Sequence, residues 1–385
     1  MTIYHELGIR PAINACGIYT DLGGAILSPA VWRAMSEANA SFADIPDLLN
    51  SSGRMVAGWL EVRAARVTPG ASAGIALATA ACLTRGDGEA SERLPDTTGL
   101  ARTEVVIGRA HRYKYDRLVR LAGARLVVAD DDDQGPEAAL RAAIGSRTVA
   151  VLFPAHLDGV PGSVGLDETI ALAQAEGVPV IVDAAYQVEP PSLMRTFTDR
   201  GADLACFSAK YFRGPNAGGI VVGRADLIAA VAAVDFTRHE AGPWLRFGRA
   251  FKLDRQVIVG TVAALREWLD QDHAARLAGY ADKVDALRSG LLDIDGLSLE
   301  PICFTMRETY EPSPINALYV RLEAASGRSA SAIDAALREG DPSIRTIVEH
   351  DGLAIVVETL RDDDVPVIVD AMRTALATAE VRGET

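Results

Sequence analysis

Residues 178–223 read VPVIVDAAYQVEPPSLMRTFTDRGADLACFSAKYFRGPNAGGIVVG, and this stretch decides the fold. It holds three short apolar runs, VPVIVD, ADLACFS and GGIVVG, bounded by turn residues. Runs of that length and composition read as buried strands. Asp183 closes the first strand. Lys210 follows the second, just ahead of the Gly-rich turn RGPNAGG. In an open parallel sheet the carboxyl ends of the strands face the ligand crevice. A carboxylate is costly there if unpaired, so Asp183 is expected to meet a cation or an N–H group.

The same alternation continues outward. From residue 104 the chain runs EVVIG, YDRLVRLAG, ARLVVAD, PEAALRAAIG, TVAVLFPAH and LDETIALAQAEG, strand and helix in turn. Strands alternating with helices imply crossover connections and an α/β fold, its mostly parallel central sheet covered by helices on both faces. Upstream, AGIALATAACLT reads as a buried helix, which puts the turn GASAG (70–74) at a helix N-terminus. Residues 31–66 read as helical, in PAVWRAMSEANASF and SGRMVAGWLEVRAA, and residues 1–30 as an irregular arm. Beyond about residue 250 the pattern changes. DRQVIVGTVAALREWLDQDHAARLAGYADKVDALRSGL reads as one long helical stretch, followed by three short strands and two helices. The expected division is an arm (1–30), a large α/β domain (31–255), and a linking helix with a small C-terminal α+β domain (256–385).

Composition narrows the class. The 385 residues are 49% hydrophobic and 23% charged, as in a folded globular chain. Net charge is −14, a field that repels phosphate backbones, so no nucleic acid is expected as a partner. There is no basic-then-apolar leader and no apolar run long enough to span a bilayer, so a cytoplasmic protein without a membrane partner is expected. Four scattered cysteines with no CxxC pair argue against disulfides and zinc. DDDD at 130–133 reads as a solvated turn, so no metal is expected. Four of the 38 basic residues are lysines: Lys114, Lys210, Lys252 and Lys283. Any lysine chemistry therefore has four candidates.

One acid and one lysine on two nearby strand ends suit pyridoxal 5′-phosphate. The lysine condenses with its aldehyde, and the carboxylate keeps the pyridine nitrogen protonated so that the ring accepts electrons from Cα. A plain ion pair is the alternative for the same two residues. The small residues of GASAG leave room for a phosphate at a helix N-terminus, where free N–H groups and the helix dipole favour an anion. His111, three residues past EVVIG, lies at another strand end, where an imidazole can stack on a pyridine ring; a polar loop histidine is the alternative.

Taken in order, GASAGIA, His111 after a strand, VDAA, GADL and SAKYFRGPNAGG resemble the fold type I pyridoxal-phosphate enzymes. Within them the chain is most similar to the bacterial selenocysteine-synthase-like group, which includes D-glucosaminate-6-phosphate ammonia lyase. INACGIYTDLGGAILSP, GRAFKLDRQVIVGTVAAL and DPSIRTIVEHDGLAIVVETL extend the resemblance over roughly residues 8–370. It implies that Lys210 is the Schiff-base lysine and Asp183 the pyridinium partner. Ala71, Ser72 and Ala73 would contact the phosphate and His111 would stack on the ring. Arg345, in PSIRT, would bind the substrate carboxylate, for which a guanidinium fork is suited. In related enzymes a phosphate-binding serine commonly lies three residues before the lysine. Phe207 stands there in this chain and Ser208 one place later, a position whose side chain points to the opposite face of a strand. Ser208 is carried as a phosphate candidate in its place. Gly214 and Asn216 would reach a partner subunit's phosphate, and Lys252 is a further anion candidate.

The resemblance implies an enzyme acting at Cα and Cβ of an amino acid, a small-molecule substrate. A lyase releasing a 2-oxo acid and ammonia leads, with racemase and aminotransferase as alternatives. Selenium transfer to a seryl-tRNA is disfavoured by the net charge and by the absence of an added N-terminal tRNA-binding domain. A non-catalytic binding protein is disfavoured because Lys210 and Asp183 are both retained. A phosphorylated sugar acid would need a basic pocket, for which Arg213, Arg246, Arg249 and Lys252 are candidates. The arm carries Ile9, Ile13, Ile18 and Leu22 without a helical period, so it is expected to lie against another surface. A homodimer or a larger symmetric homo-oligomer follows as the expected assembly.

Overall fold

In the computed structural model the alternating runs form a seven-stranded sheet within a large unit, Leu27–Asp270. A second, small unit combines Met1–Ile26 with Gln271–Thr385. The structure describes residues 2–130, 134–237, 246–305, 310–323 and 329–380.

The chain opens with a short helix α1 (Ile3–Glu6) and strand β1 (Ala12–Asn14), then enters the large unit through α2 (Pro29–Asn39) and α3 (Ile45–Leu60). Both helices start on a side-chain cap and an early proline. The Ser28 hydroxyl accepts from the Val31 N–H and the Asp44 carboxylate from the Asp47 N–H. Next come β2 (Ala64–Thr68), α4 (Gly70–Thr84), α5 (Gly88–Arg93), β3 (Glu104–Gly108), β4 (Arg125–Ala129), α6 (Pro136–Ala143) and β5 (Thr148–Pro154). The unit continues with α7 (Leu166–Ala175), β6 (Val180–Asp183), α8 (Leu193–Asp199), β7 (Leu204–Ser208), β8 (Gly219–Gly223), α9 (Ala225–Val234) and α10 (Arg255–Asp270).

The strand order is β2-β8-β7-β6-β5-β3-β4, with β8 antiparallel to both neighbours and every other pairing parallel. Side chains alternate between the faces, as the pleat requires, except at the β3–β5 register shift, where Val149 and Ala150 share a face. Ile107, Leu152, Ile181, Leu204 and Cys206 join α4 and α9 on one face. Val106, Phe153, Val182, Ala205 and Phe207 join α3, α7, α8 and α10 on the other. Helix α4 is buried almost all round, Ser72 being exposed at its start, which is why its sequence shows no polar stripe.

The small unit adds α11 (His273–Leu291), β9 (Leu297–Ile302), β10 (Ala317–Leu322), α12 (Ala330–Glu339), β11 (Ser343–Arg345), β12 (Ile347–Glu349), β13 (Gly352–Val356) and α13 (Asp364–Glu380). Its antiparallel sheet has the order β12-β13-β10-β9. Strand β1 pairs in parallel with β11, Ala12 opposite Ser343 and Asn14 opposite Arg345.

Several local readings differ from the structure: the arm contains α1 and β1, and the small unit has β11 and β12 beyond the three strands read there. The helix of 31–66 ends at Leu60, where Glu61 takes a left-handed conformation, and Ala64–Thr68 is a strand edge-paired to β8. The Ala-rich composition there hid a strand. YDRLVRLAG forms a 3-10 helix, Asp116–Ala122, rather than an α-helix. The long stretch after residue 254 is two helices, because the Asp272 side chain caps a new N-terminus at Ala275 N–H. The first of the two, α10, expected as part of a linking helix, packs on α2 and α3 and falls in the large unit.

Candidate active site

The strand order reverses between β3 and β5. The chain leaves β3 on one side for β4 and returns on the other side as β5, and this is where an open sheet forms its crevice. His111 follows β3, Asp183 ends β6 and Lys210 follows β7, all at carboxyl ends of strands.

Asp183 is 5% exposed, on the α4 face of the sheet, directly opposite Cys206 of β7. Its Oδ1 accepts the Ala185 N–H at 3.1 Å and its Oδ2 accepts the Tyr113 O–H at 2.5 Å. The expected N–H partner is present, and beside it stands a phenol. Burial pushes the carboxyl up from its usual range, while Tyr113, the Ala185 N–H and the charge of His156 oppose that rise. The Tyr113 phenol is pushed far up by burial and by the carboxylate, so it stays protonated as a donor. The neighbouring Cys206 thiol is also held protonated by burial.

His111 is buried against Phe153, ring centroids 4.6 Å apart at 68°. Its Nε2 is buried with no hydrogen-bond partner among the described residues. Burial lowers its pKa, which keeps the imidazole neutral. The Lys210 Nζ lies 4.8 Å from the Tyr211 ring centroid.

The loop GASAG opens α4, and no side chain caps its N-terminal N–H groups. Ala71 and Ala73 are buried; Ser72 is exposed. Strand β8 passes so close that a Cβ on Gly219 would stand 2.6 Å from the Gly70 Cα. Ser208 is two residues from Cys206, so it shares the face of α4 and Asp183, while Phe207 is buried against Phe197 on the other. The serine that lies one place from its usual position is thus the one on the Asp183 side. In the turn after Lys210, Arg213 is left-handed (φ 62°), and Gly214 packs on Ala209.

The remaining candidates belong to other elements. Lys252 is exposed and lines a cleft of about 430 Å3 with Arg249, Asp44 and Asp254. Arg246 donates to the Ala233 carbonyl. Arg345 belongs to the small unit, at the end of β11, its Nε buried without a hydrogen-bond partner among the described residues. Asp131, Asp132 and Asp133 lie outside the described residues. Among the described residues no group of His, Cys, Asp and Glu could hold a metal, and no helix is long and apolar enough to cross a membrane.

Sequence reasoning missed an arc of half-buried rings. Tyr113 and His156 are 5.3 Å apart, His156 and Tyr186 5.8 Å, and Tyr186 and Tyr211 5.8 Å. The arc starts at the residue bonded to Asp183 and ends beside Lys210. Each ring follows a strand end by at most five residues, so the rule that singled out His111, applied to every strand, would have found all four.

No family model matches the chain. D-Glucosaminate-6-phosphate ammonia lyase of Salmonella typhimurium is 30% identical over 96% of this chain and 97% of that protein. A solved structure of D-glucosaminate-6-phosphate ammonia lyase superposes with a TM-score of 0.84 at 29% identity, covering 98% of this chain and 99% of that one. A 5′-C-glycyluridine monooxygenase-decarboxylase of a Streptomyces species is 31% identical over 89% of this chain and 83% of that protein. An L-seryl-tRNA(Sec) selenium transferase of Moorella thermoacetica is more distant, 26% identical over 99% of this chain and 85% of that protein. With Asp183 and Lys210 on neighbouring strand ends of a sheet that one of these relatives shares nearly end to end, the chain belongs to the selenocysteine-synthase-like family of fold type I pyridoxal-phosphate enzymes that includes D-glucosaminate-6-phosphate ammonia lyase.

Proposed function

We propose that this protein is a pyridoxal-phosphate-dependent lyase that removes the Cα proton and a Cβ leaving group from an amino acid, releasing a 2-oxo acid and ammonia. The observation that carries the reading is the buried, hydrogen-bonded Asp183 on the strand end next to the one that carries Lys210.

The residues present fit the cofactor. The unsatisfied His111 Nε2, the uncapped start of α4 and the side-chain-free approach of Gly219 to Gly70 each leave a place for one part of it. When bound, pyridoxal phosphate supplies an aldehyde that holds the substrate's nitrogen and a ring that accepts electrons from Cα. Lys210 is the residue that would hold the aldehyde, and its Nζ would be the base that takes the Cα proton. Asp183 would keep the ring nitrogen protonated, and its burial would strengthen that ionic contact and exclude water from it. The Ala71, Ser72 and Ala73 N–H groups, with the Ser72 and Ser208 hydroxyls, would hold the phosphate. The neutral His111 would stack on the ring. Arg345 is the candidate for the substrate carboxylate that the family resemblance supplies. Water completes the reaction by hydrolysing the released enamine to the 2-oxo acid and ammonia.

The same reading makes the protein a cytoplasmic homo-oligomer, a dimer at least. None of the four cysteines is in a disulfide, which suits a reducing compartment. Trp32, Phe42 and Met55 are exposed apolar residues of the large unit, Phe42 at 96%, and such residues mark contact surfaces. Gly214 and Asn216 are the candidates for reaching the neighbour's phosphate.

The test is a panel of D- and L-amino acids, including those with hydroxyl or phosphoryl groups beyond Cα. It is assayed for 2-oxo acid, ammonia, chirality and oxygen uptake. Equimolar 2-oxo acid and ammonia without oxygen uptake is expected, and Lys210→Ala should abolish it. Inversion at Cα alone would make the enzyme a racemase. Oxygen uptake with carbon dioxide release would place it with the monooxygenase-decarboxylase chemistry of its Streptomyces relative. Borohydride reduction of the loaded enzyme should fix the cofactor on Lys210; a label on Lys114, Lys252 or Lys283 defeats the proposal.

A further inference from the structure

The rings around Asp183 include one whose polar atom is already committed. Tyr113 is half-buried in the turn that follows the 3-10 segment Arg109–His111, and its O–H donates to Asp183 Oδ2 at 2.5 Å. His156 and Tyr115 hold the phenol edge-on, at 5.3 and 6.0 Å between centroids. Oδ1 takes the Ala185 N–H. An ionised carboxylate has about four acceptor positions, so these two bonds leave room for a third donor.

We infer that Tyr113 is a positioning residue for Asp183, fixing the plane of the carboxylate and holding it as the anion that receives the ring N–H of the cofactor. The inference rests on the pyridoxal-phosphate reading above. The phenol serves as a donor and not as a base, because its proton is held by burial and by the Asp183 charge. A phenylalanine would fill the same space and leave Oδ2 with one donor fewer. The buried carboxylate would then favour its neutral form, which cannot pair with a protonated ring nitrogen.

The consequence is selective. Tyr113 should matter for a ligand with a ring nitrogen and not for one without it. The experiment titrates full-length, cofactor-free wild type and Tyr113→Phe with pyridoxal phosphate and with its 1-deaza analogue, in which a ring C–H replaces the nitrogen. A hydrogen bond to a charged group predicts that Tyr113→Phe weakens pyridoxal phosphate about tenfold. It should leave the deaza analogue within about twofold, because that ring offers Asp183 no N–H. In an Asp183→Asn background, Tyr113→Phe should change neither affinity. Equal losses for the two ligands would show that Tyr113 only packs and would overturn the inference. Unchanged or tighter binding of pyridoxal phosphate would also overturn it, by showing that the phenol competes with the ring nitrogen. If the wild type binds neither ligand, the cofactor reading falls, and that control separates the two failures. Misfolding of the variant would weaken both ligands alike, so it cannot produce a loss confined to pyridoxal phosphate.

Discussion

At Asp183, function and stability pull in opposite directions. Burial raises its carboxyl pKa in the folded chain. A raised value means that the folded state binds the proton more tightly than the unfolded one. The stabilisation from this group is therefore complete below the unfolded value of about 3.9 and is lost as pH rises through the folded one. Asp183→Asn, which carries no charge to desolvate, should thus melt higher than wild type at neutral pH when the cofactor is absent. The difference should vanish near pH 4, and calorimetry across that range reads it directly. With cofactor bound, the same variant should lose at least about a hundredfold in kcat, since an unprotonated ring is a poor electron sink. Near-native turnover would place the ring nitrogen's partner elsewhere. His111 works the other way. Its lowered pKa gives full stability above the unfolded value of about 6.5, and that part is lost as pH falls below it.

At the scale of elements, the crevice depends on how closely β8 passes the start of α4. Gly219→Ala would force a Cβ to within 2.6 Å of the Gly70 backbone. Overpacking of this kind costs about 1–3 kcal/mol and shifts the loop that starts α4. Cofactor affinity should drop more steeply than melting temperature, measured side by side. The break between α10 and α11 is a separate test: Asp272→Ala removes a helix cap and should cost about 1 kcal/mol in urea denaturation without touching cofactor affinity. The elements that could be read in advance were those with a strong period or a pure apolar run, such as β5, β6 and α4. Those that could not were set by pairing partners far along the chain. Strand β2 looks helical by composition and becomes a strand because β8 offers it an edge. The site divides the same way. Asp183 and Lys210 announce themselves because an acid and a lysine at strand ends are expensive. Tyr113 does not, because a tyrosine in a loop is ordinary until its hydroxyl is seen on a buried carboxylate.

For the whole molecule, the N-terminal segment divides at about residue 11. Beyond it, β1 is paired and Ala15 and Cys16 are buried in the small unit. Before it, Ile3, Tyr4, Leu7 and Ile9 are each more than half exposed. Removing residues 2–11 should therefore lower the oligomeric state in sedimentation while leaving thermal stability within about 0.5 kcal/mol, as for surface changes. An oligomer indifferent to that truncation would move the subunit contact to the face of Trp32 and Phe42. The pairing of β1 with β11 also sets a timetable for biogenesis. Asn14 emerges from the ribosome long before Arg345, the residue it sits beside. At translation rates of about 5–20 residues per second, the leading strand waits on the order of tens of seconds for its mate. Meanwhile residues 27–270 emerge entire and can collapse first. The nascent chain thus trails an unpaired, apolar leader through most of its synthesis, a natural client for a chaperone at the exit tunnel.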